Sequence, residues 1–154
     1  MNDIDTLVQN YRSIQLRPAC ILDARILLEW RNDEASRLAS PDPRHITAEE
    51  HFAWLVRAIR HSHCAVFIAE RNGVPVGSTR RKVRELSWVV KPTARGKGVA
   101  TSMVLHTINL TPEVASLCAT IHRDNVASRR VAEKCGFTLT VPSASGFDIW
   151  ECTT

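Results

Sequence analysis

The chain has 154 residues, of which 44% are hydrophobic and 23% are charged, a composition that excludes intrinsic disorder and a membrane-embedded class. No apolar run is long enough to span a bilayer, and residues 1–20 lack the basic-then-apolar order of a secretory signal. We therefore expect one cytoplasmic domain over residues 1–154, with residues 1–13 as an N-terminal extension.

Cysteine usage and charge narrow the possible partners. The five cysteines are odd in number and never form C-x-x-C, which predicts reduced thiols. The nearest approach to a metal cluster, His61-Ser62-His63-Cys64, matches no common zinc spacing, so we expect no metal. The net charge is +4, and the basic cluster at residues 80–84 has no interleaved aromatic residue. This predicts a solvated turn or a field for an anionic small molecule, with no nucleic-acid or membrane partner.

The first half of the chain predicts a strand followed by two helices. Residues 13–17 form the strand, and Asp23 can cap a helix with Ile26, Leu27 and Trp30 on one face. After a proline-rich break at residues 40–43, Thr47 and Glu50 make a capping box. The helix behind it has apolar residues at helical spacing: Phe52, Leu55, Val56 and Ile59.

The second half predicts a sheet. Residues 65–70 and 74–80 flank an Asn-Gly turn, and residues 86–90 form a third strand before a loop with Gly96 and Gly98. A helix, a strand at 117–121, a helix from Asn125 to Gly136, and strands at 137–141 and 147–150 complete the chain. This order predicts a mixed, mostly antiparallel α/β (α+β) sheet with helices on both faces.

The loop from Arg95 to Ala100 lies between a strand and a helix, where unpaired backbone amides and the helix dipole attract anions. Glycines allow a phosphate to approach the backbone closely, although a plain turn is an alternative. A Walker loop is excluded because Lys91 stands at its first glycine position. A dinucleotide-binding fingerprint, with Asp124 after the next strand, has Thr101 at its third glycine position.

Two segments of the sequence match known motifs. The loop has the pattern Arg/Gln-x-x-Gly-x-Gly/Ala at Arg95, Gly98 and Ala100. A downstream segment has the pattern Asn-x-x-(Ala/Ser)-x-x-x-x-Glu-Lys-x-Gly-Phe at Asn125, Ser128, Glu133, Lys134, Gly136 and Phe137. In this order, the two motifs resemble those of the GNAT superfamily of N-acetyltransferases. The segments 30–33 and 51–54 look more narrowly like the branch with ribosomal-protein N-terminal acetyltransferases and the amino-sugar N-acetyltransferase of pseudaminic acid biosynthesis.

This resemblance implies direct attack of an amine on the thioester of acetyl-coenzyme A bound between splayed strands. The phosphates would rest on the backbone of Arg95, Gly96, Lys97, Gly98, Val99 and Ala100. The pantetheine arm would lie along Trp88, Val89 and Val90, and Asn125 and Ser128 would line the cofactor. The general base is left open among Glu85, His51 and His122.

The family's usual general acid, a tyrosine on the last helix, is replaced by Ala132, and the sole tyrosine is Tyr11. Water, Cys135 or Ser128 is left as the proton donor. For the acceptor we expect a small-molecule primary amine, such as a nucleotide-linked amino sugar, near Trp30, Arg31, Asn32 and His51. The alternatives are a protein N-terminus, or a catalytically weak module that binds acyl-coenzyme A. A homodimer is compatible with the sequence.

Overall fold

A computed structural model describes residues 3–153. Seven strands form one sheet in the order β1-β2-β3-β4-β5-β7-β6. The strands are β1 (Ile14–Pro18), β2 (Cys64–Arg71), β3 (Val74–Lys82), β4 (Glu85–Val90), β5 (Ser116–His122), β6 (Thr138–Val141) and β7 (Phe147–Thr153). The helices are α1 (Asp3–Ser13), α2 (Ala24–Asn32), α3 (Glu34–Leu38), α4 (Ala48–Arg60), α5 (Val99–Asn109) and α6 (Val126–Lys134).

All neighbouring strands pair antiparallel except β4 and β5, which run parallel. Helices cover both faces of the sheet, so the predicted mixed, mostly antiparallel architecture is confirmed. On one face, α2 and α4 enclose a core that includes Leu27, Leu55 and Ile68. On the other, α5 and α6 enclose clusters that include Val104 and Phe137.

The capping box of α4 is present as predicted, because Thr47 accepts a hydrogen bond from the Glu50 amide and Glu50 accepts one from the Thr47 amide. The predicted core face is wrong at two positions, since Phe52 is 47% and Ile59 is 39% exposed. The buried residues of α4 are His51, Leu55 and Ala58. The face of α4 that packs against α2 and β2 is therefore rotated from the predicted one. The spacing of apolar residues alone does not define which face is buried.

The N-terminal segment, expected only as an extension, forms α1 over residues 3–13, while Met1 and Asn2 lie outside the described residues. The Tyr11 ring stacks on His106 of α5 with 3.9 Å between ring centroids. Asn109 donates a 2.9 Å hydrogen bond to the Tyr11 hydroxyl. These contacts attach α1 to α5.

Asp23 stands at the N-cap position of α2, but its side chain makes no hydrogen bond to that helix. Its carboxylate instead accepts hydrogen bonds from the Arg17 guanidinium at 2.7 and 2.8 Å and from the Cys20 amide at 2.8 Å. Arg17 also donates to Glu70 on β2. The expected helix cap is thus a tertiary ion pair that joins β1, β2 and the turn before α2.

None of the helices in residues 3–153 is long and apolar enough to cross a bilayer.

Candidate active site

The sheet opens between β4 and β5. These parallel strands pair at Glu85 and Cys118, and the Cys118 amide donates to the Arg84 carbonyl at 2.9 Å. Beyond this point, the register of the two described strands shows no further pair. The inner edge of β4 towards its C-terminal end is therefore free to pair with an extended ligand.

Two backbone amides of β4 point into this opening. The Lys91 amide donates to the Val76 carbonyl of β3 at 2.9 Å. Because amide directions alternate along a strand, the Val89 amide also faces β3, whereas those of Trp88 and Val90 face β5. Of the three residues expected along the pantetheine arm, Trp88 and Val90 thus present donors to the opening.

The glycine loop follows β4 directly. Gly96 and Gly98 both have a φ of 72°, in the left-handed region that glycine adopts without strain. Helix α5 begins at Val99, and its first backbone bond runs from the Ser102 amide to the Gly98 carbonyl at 3.2 Å. The preceding amides, including those of Val99 and Ala100, have no partner within the helix and carry the positive end of its dipole.

The Arg95 side chain is turned away from these amides. It donates to Asp33 at 2.6 Å, to the Ser36 hydroxyl at 3.1 Å and to the Val90 carbonyl at 3.2 Å. The Lys97 ammonium donates to the Thr93 carbonyl at 3.0 Å but is exposed. The positive charge expected from Arg95 is therefore paired with Asp33, and Lys97 keeps its charge at the loop.

A cleft of about 460 Å³ lies over the loop. Three cationic side chains line it together with the two glycines and the first turn of α5: Arg71, Lys97 and Lys134. Nothing lies within 4 Å of a β-carbon built on Gly96. Cations, free helix amides and an open glycine backbone fit a diphosphate, so the residues present suit the phosphates of coenzyme A.

The three candidate bases are dispersed. Glu85 begins β4 and accepts a long hydrogen bond, 3.5 Å, from the exposed Thr120 hydroxyl of β5. His122 ends β5, where its ring packs edge-on against Phe147 at 4.8 Å and its Nδ1 accepts from the Asp124 amide. His51 is buried in α4 beside Trp54. Burial and the nearby Arg31 charge lower the pKa of His51, so the ring is neutral near pH 7.

A second cleft, of about 750 Å³, is lined by Thr120, which donates to Glu85, and by Phe147, which packs against His122. Its lining is uncharged and consists of Pro41, Thr120, Val141, Pro142, Ser143, Ala144, Ser145, Phe147 and Ile149. The segment before α4, the strand β5 and the connection from β6 to β7 all contribute. An acceptor amine in this cleft would reach the β4–β5 opening at Thr120.

The residues expected to bind the acceptor, 30–32, contact the segment that contributes Pro41 to this cleft. Asn32 donates to the Ile46 carbonyl and accepts from the Ile46 amide, at 2.8 and 2.9 Å. Arg31 donates to the Asp42 carbonyl at 2.6 Å, and its buried Nη1 has no partner among the described residues. Trp30 is buried in the core. These contacts fix residues 42–46, next to Pro41.

The possible donors of a proton to the leaving thiolate differ in accessibility. Ala132 is fully buried, and the Tyr11 ring stacks on His106 of α5. Cys135 is also in the core, where burial raises the pKa of its thiol to about 12. Asn125 caps α6 by accepting from the Ser128 amide at 3.0 Å. Ser128 is half-buried at the start of α6, so its hydroxyl is more accessible than the Cys135 thiol.

Several residues around the two clefts were not predicted from the sequence. Arg71 and Asn10 meet at the glycine loop, Thr120 joins Glu85 to the second cleft, and Asp33 holds Arg95. The alternation of β5 could have indicated Thr120 beside Glu85. No spacing in the sequence relates Asn10 or Asp33 to the loop.

Comparisons with known proteins agree with this geometry. A model of the acetyltransferase (GNAT) domain family matches residues 13–138. No curated protein matches the sequence with statistical significance. Among solved structures, the chain is similar to a ribosomal-protein-alanine N-acetyltransferase from Brucella melitensis, with 26% identity, a TM-score of 0.76, and coverage of 91% of this chain and 99% of that one.

Two further structures have the same fold. One is the putative acetyltransferase yncA from Salmonella typhimurium with acetyl-CoA, with 23% identity, a TM-score of 0.74, and coverage of 92% of this chain and 94% of that one. The other is the aminoglycoside acetyltransferase AAC(6')-Ib with coenzyme A and kanamycin, with 20% identity, a TM-score of 0.78, and coverage of 92% and 95%. Because the family model spans most of the sequence, the chain belongs to the GNAT family of acetyltransferases.

Proposed function

We propose that this protein, as one domain over residues 1–154, transfers the acetyl group of acetyl-coenzyme A to a primary amine of a small molecule, such as a nucleotide-linked amino sugar. The observation that carries this proposal is the free inner edge of β4, which is followed along the chain by the glycine loop and its cationic cleft at Gly96 and Gly98. An extended ligand with a phosphate group at one end matches both features. Cytoplasmic location remains part of this proposal.

The donor's acetyl thioester supplies the electrophilic carbon of the reaction. The amides of Trp88 and Val90 point into the opening, where either can stabilise negative charge on the thioester oxygen. Lys97 and the first amides of α5 hold the phosphates. Asn125 and Ser128 lie at the start of α6, and the Ser128 hydroxyl is the side chain we assign to protonate the leaving sulfur.

An amine attacks only in its neutral form, so it must release a proton. Glu85 and Thr120 are placed for this step, because the Thr120 hydroxyl lines the acceptor cleft and donates to the Glu85 carboxylate. We assign Glu85 as the base, acting through Thr120 or a water molecule. His122 borders the same cleft through Phe147 and is the second candidate, whereas the neutral His51 is enclosed in the core.

The acceptor class follows from the lining of the second cleft. Hydroxyl groups of Thr120, Ser143 and Ser145 and the ring of Phe147 suit a sugar, which needs hydrogen-bond partners and an apolar face. A polycation would need carboxylates, and the described lining carries none. The basic turn at residues 80–84 is engaged elsewhere, since Arg81 pairs with Glu113 and Arg84 with Glu151. The cleft lining, rather than that turn, supports the amino-sugar proposal.

A second candidate acceptor is a protein N-terminus. The similarity to the Brucella melitensis ribosomal-protein-alanine N-acetyltransferase favours it, as does the open shape of the second cleft, which admits the end of a peptide. A neutral lining is compatible with a short unmodified N-terminal segment. The two candidates share the donor site and differ only in what enters the second cleft.

The donor site is tested by Gly96→Asp and Gly96→Asn. Both replacements have nearly the same shape and tolerate a left-handed backbone, and the position has open space around it. Calorimetric titration with acetyl-coenzyme A should show at least a tenfold weaker affinity for the Asp variant than for the Asn variant, because only Asp repels the phosphates. Equal affinities in two folded variants would contradict the assignment of the loop.

The acceptor is tested by a thiol-release assay with a matched panel: a nucleotide-linked amino sugar, the same sugar without the nucleotide, an N-terminal alanine peptide and kanamycin. We expect the highest kcat/KM for an amino sugar. A higher kcat/KM for the peptide would support the second candidate. Preference for kanamycin would contradict both, because its positive charges find no carboxylate in the described lining.

A further inference from the structure

The phosphate cleft has a wall that lies outside the residues matched by the family model. Thr6, Leu7 and Asn10 of α1 line the cleft together with Gly96, Lys97 and Gly98, whereas the family match begins at residue 13. Helix α1 is attached to α5 by the stacking of Tyr11 on His106 and by the hydrogen bond between His106 Nε2 and the Tyr11 carbonyl oxygen, 2.9 Å. Helix α1 is therefore fixed in place by contacts with α5, and its residues form a wall of the cleft in the described chain.

A cation from a different element also enters this cleft. Arg71 ends β2, where it is paired with Ile14 in the sheet, and its guanidinium lines the cleft with Gly96 and Lys97. Its Nη2 donates to Asn10 Oδ1 at 3.2 Å and lies 3.5 Å from the Lys97 carbonyl oxygen. Its buried Nε has no hydrogen-bond partner among the described residues. In contrast to Arg17, Arg81, Arg84, Arg95 and Arg123, Arg71 forms no ion pair with a described carboxylate.

Asn10 orients this arginine and closes the cleft against the loop. Its side chain accepts from Arg71 with Oδ1, and its Nδ2 lies 2.6 Å from the position of a β-carbon built on Gly98. The amide group of Asn10 thus occupies the space that a side chain at residue 98 would fill. Because residue 98 is a glycine, the chain can adopt the left-handed turn and α1 can approach the loop closely.

We propose that Arg71 is a phosphate-binding residue of the coenzyme A site and that Asn10 of α1 is the positioning residue that holds it there. A guanidinium without an ion-pair partner, beside free helix amides, is a strong donor to an anionic oxygen, because charge-assisted bonds to phosphate are shorter and stronger than neutral ones. This inference rests on the proposed donor site and adds two residues to it. The shared chemistry is a phosphate oxygen, which coenzyme A presents both in its diphosphate and on its ribose 3′ position.

The experiment measures binding of three probes, coenzyme A, 3′-dephospho-coenzyme A and pantetheine, to the full chain by calorimetry or competition. The variants are Arg71→Gln, Arg71→Lys, Asn10→Ala and the double variant Asn10→Ala/Arg71→Gln. Arg12→Gln is the matched control, because it removes the same charge from an exposed position on α1. Thermal unfolding of each variant verifies that it is folded.

We expect Arg71→Gln to weaken coenzyme A binding about ten- to a hundredfold, with a smaller loss for Arg71→Lys, and no change in pantetheine binding. Asn10→Ala should weaken it about two- to tenfold alone and have no further effect in the Arg71→Gln background, since its role acts through Arg71. Equal losses for coenzyme A and its 3′-dephospho form assign Arg71 to the diphosphate. A loss confined to coenzyme A assigns it to the 3′-phosphate.

The possible negative results are distinguishable. If the wild-type chain binds coenzyme A and both Arg71 variants bind it equally well, this inference is wrong and the donor site stands. A matching loss of pantetheine binding would also overturn it, because pantetheine has no phosphate. If the wild-type chain does not bind coenzyme A, the proposed function itself fails.

Discussion

Arg95 donates a 2.6 Å hydrogen bond to the carboxylate of Asp33, which at the same time accepts from the Ser36 amide at the start of α3. The glycine loop that follows β4 is thereby tied to the short helix α3. The hydrogen bond from Arg95 is the largest of the effects that lower the pKa of Asp33.

Asp33→Ala and Asp33→Asn separate the two roles of this carboxylate. Asn caps a helix about as well as Asp, whereas Ala does not, so we expect a loss of about 1 kcal/mol of unfolding free energy for Ala and less for Asn. Both variants remove the ion pair with Arg95, so both should weaken acetyl-coenzyme A binding. Denaturant unfolding and calorimetric titration measure the two effects. Unchanged binding in both variants would show that the tie does not support the loop.

Asp23 is expected to control how the stability of the folded protein changes at acid pH. The hydrogen bonds from Arg17 are the main cause that lowers the pKa of this buried carboxyl. Because the folded-state pKa lies below the unfolded value, the stabilisation is present above the ordinary carboxyl pKa of about 3.9 and is lost as pH falls through the folded pKa.

We therefore expect Asp23→Asn to cost about 2 kcal/mol at pH 7 and to lose less stability than the parent between pH 5 and pH 3. Unfolding curves at several pH values measure both. Asp42→Asn is the control, since Asp42 pairs with Arg44 at an exposed position. Parallel acid profiles for the parent and Asp23→Asn would contradict the assignment.

His51 is expected to make the unfolding free energy depend on pH in the range where its imidazole titrates. Burial is the first cause that lowers this pKa, and the charge of Arg31 is the second. The unfolded chain therefore binds a proton at higher pH than the folded chain. The folded state becomes less stable as pH falls below about 6.5, the ordinary pKa of histidine. We expect His51→Gln to reduce this dependence, measured as the difference in unfolding free energy between pH 7.5 and pH 5.5. The same replacement at exposed His45 should leave the difference as it is in the parent.

Glu85 is expected to control the rate of acetyl transfer through the acceptor amine. Glu85→Gln should lower kcat by about a hundredfold or more near neutral pH, and the loss should shrink at high pH, where solvent removes the amine proton. Thr120→Val should give a smaller loss if the hydroxyl relays the proton. Glu113→Gln is the control, because it removes the same charge from an exposed residue, and it should leave kcat unchanged. A Glu85→Gln enzyme as fast as its parent at every pH would transfer the role to His122.

Local sequence determined much of the architecture. The Asn-Gly turn after Arg71, the capping box at Thr47 and the left-handed Gly136 each depend on a few adjacent residues, and all three are present. The order of the strands and of helices α2, α4, α5 and α6, and the glycine loop between β4 and α5, follow from the same local preferences, whereas helices α1 and α3 were not predicted. Family membership could be inferred because its two motifs are continuous segments of sequence.

The contacts that complete the site were decided by tertiary structure. Asn10 reaches Gly98 and Arg71, and Asp33 reaches Arg95, only because the sheet and helices bring distant segments together. The rotation of α4 that buries His51 and exposes Phe52 likewise depends on the surfaces of α2 and β2. Such pairings leave no periodic signal, since each joins side chains whose separation in sequence is arbitrary. The sequence alone therefore specified the glycine loop between β4 and α5, while the fold selected which side chains surround it.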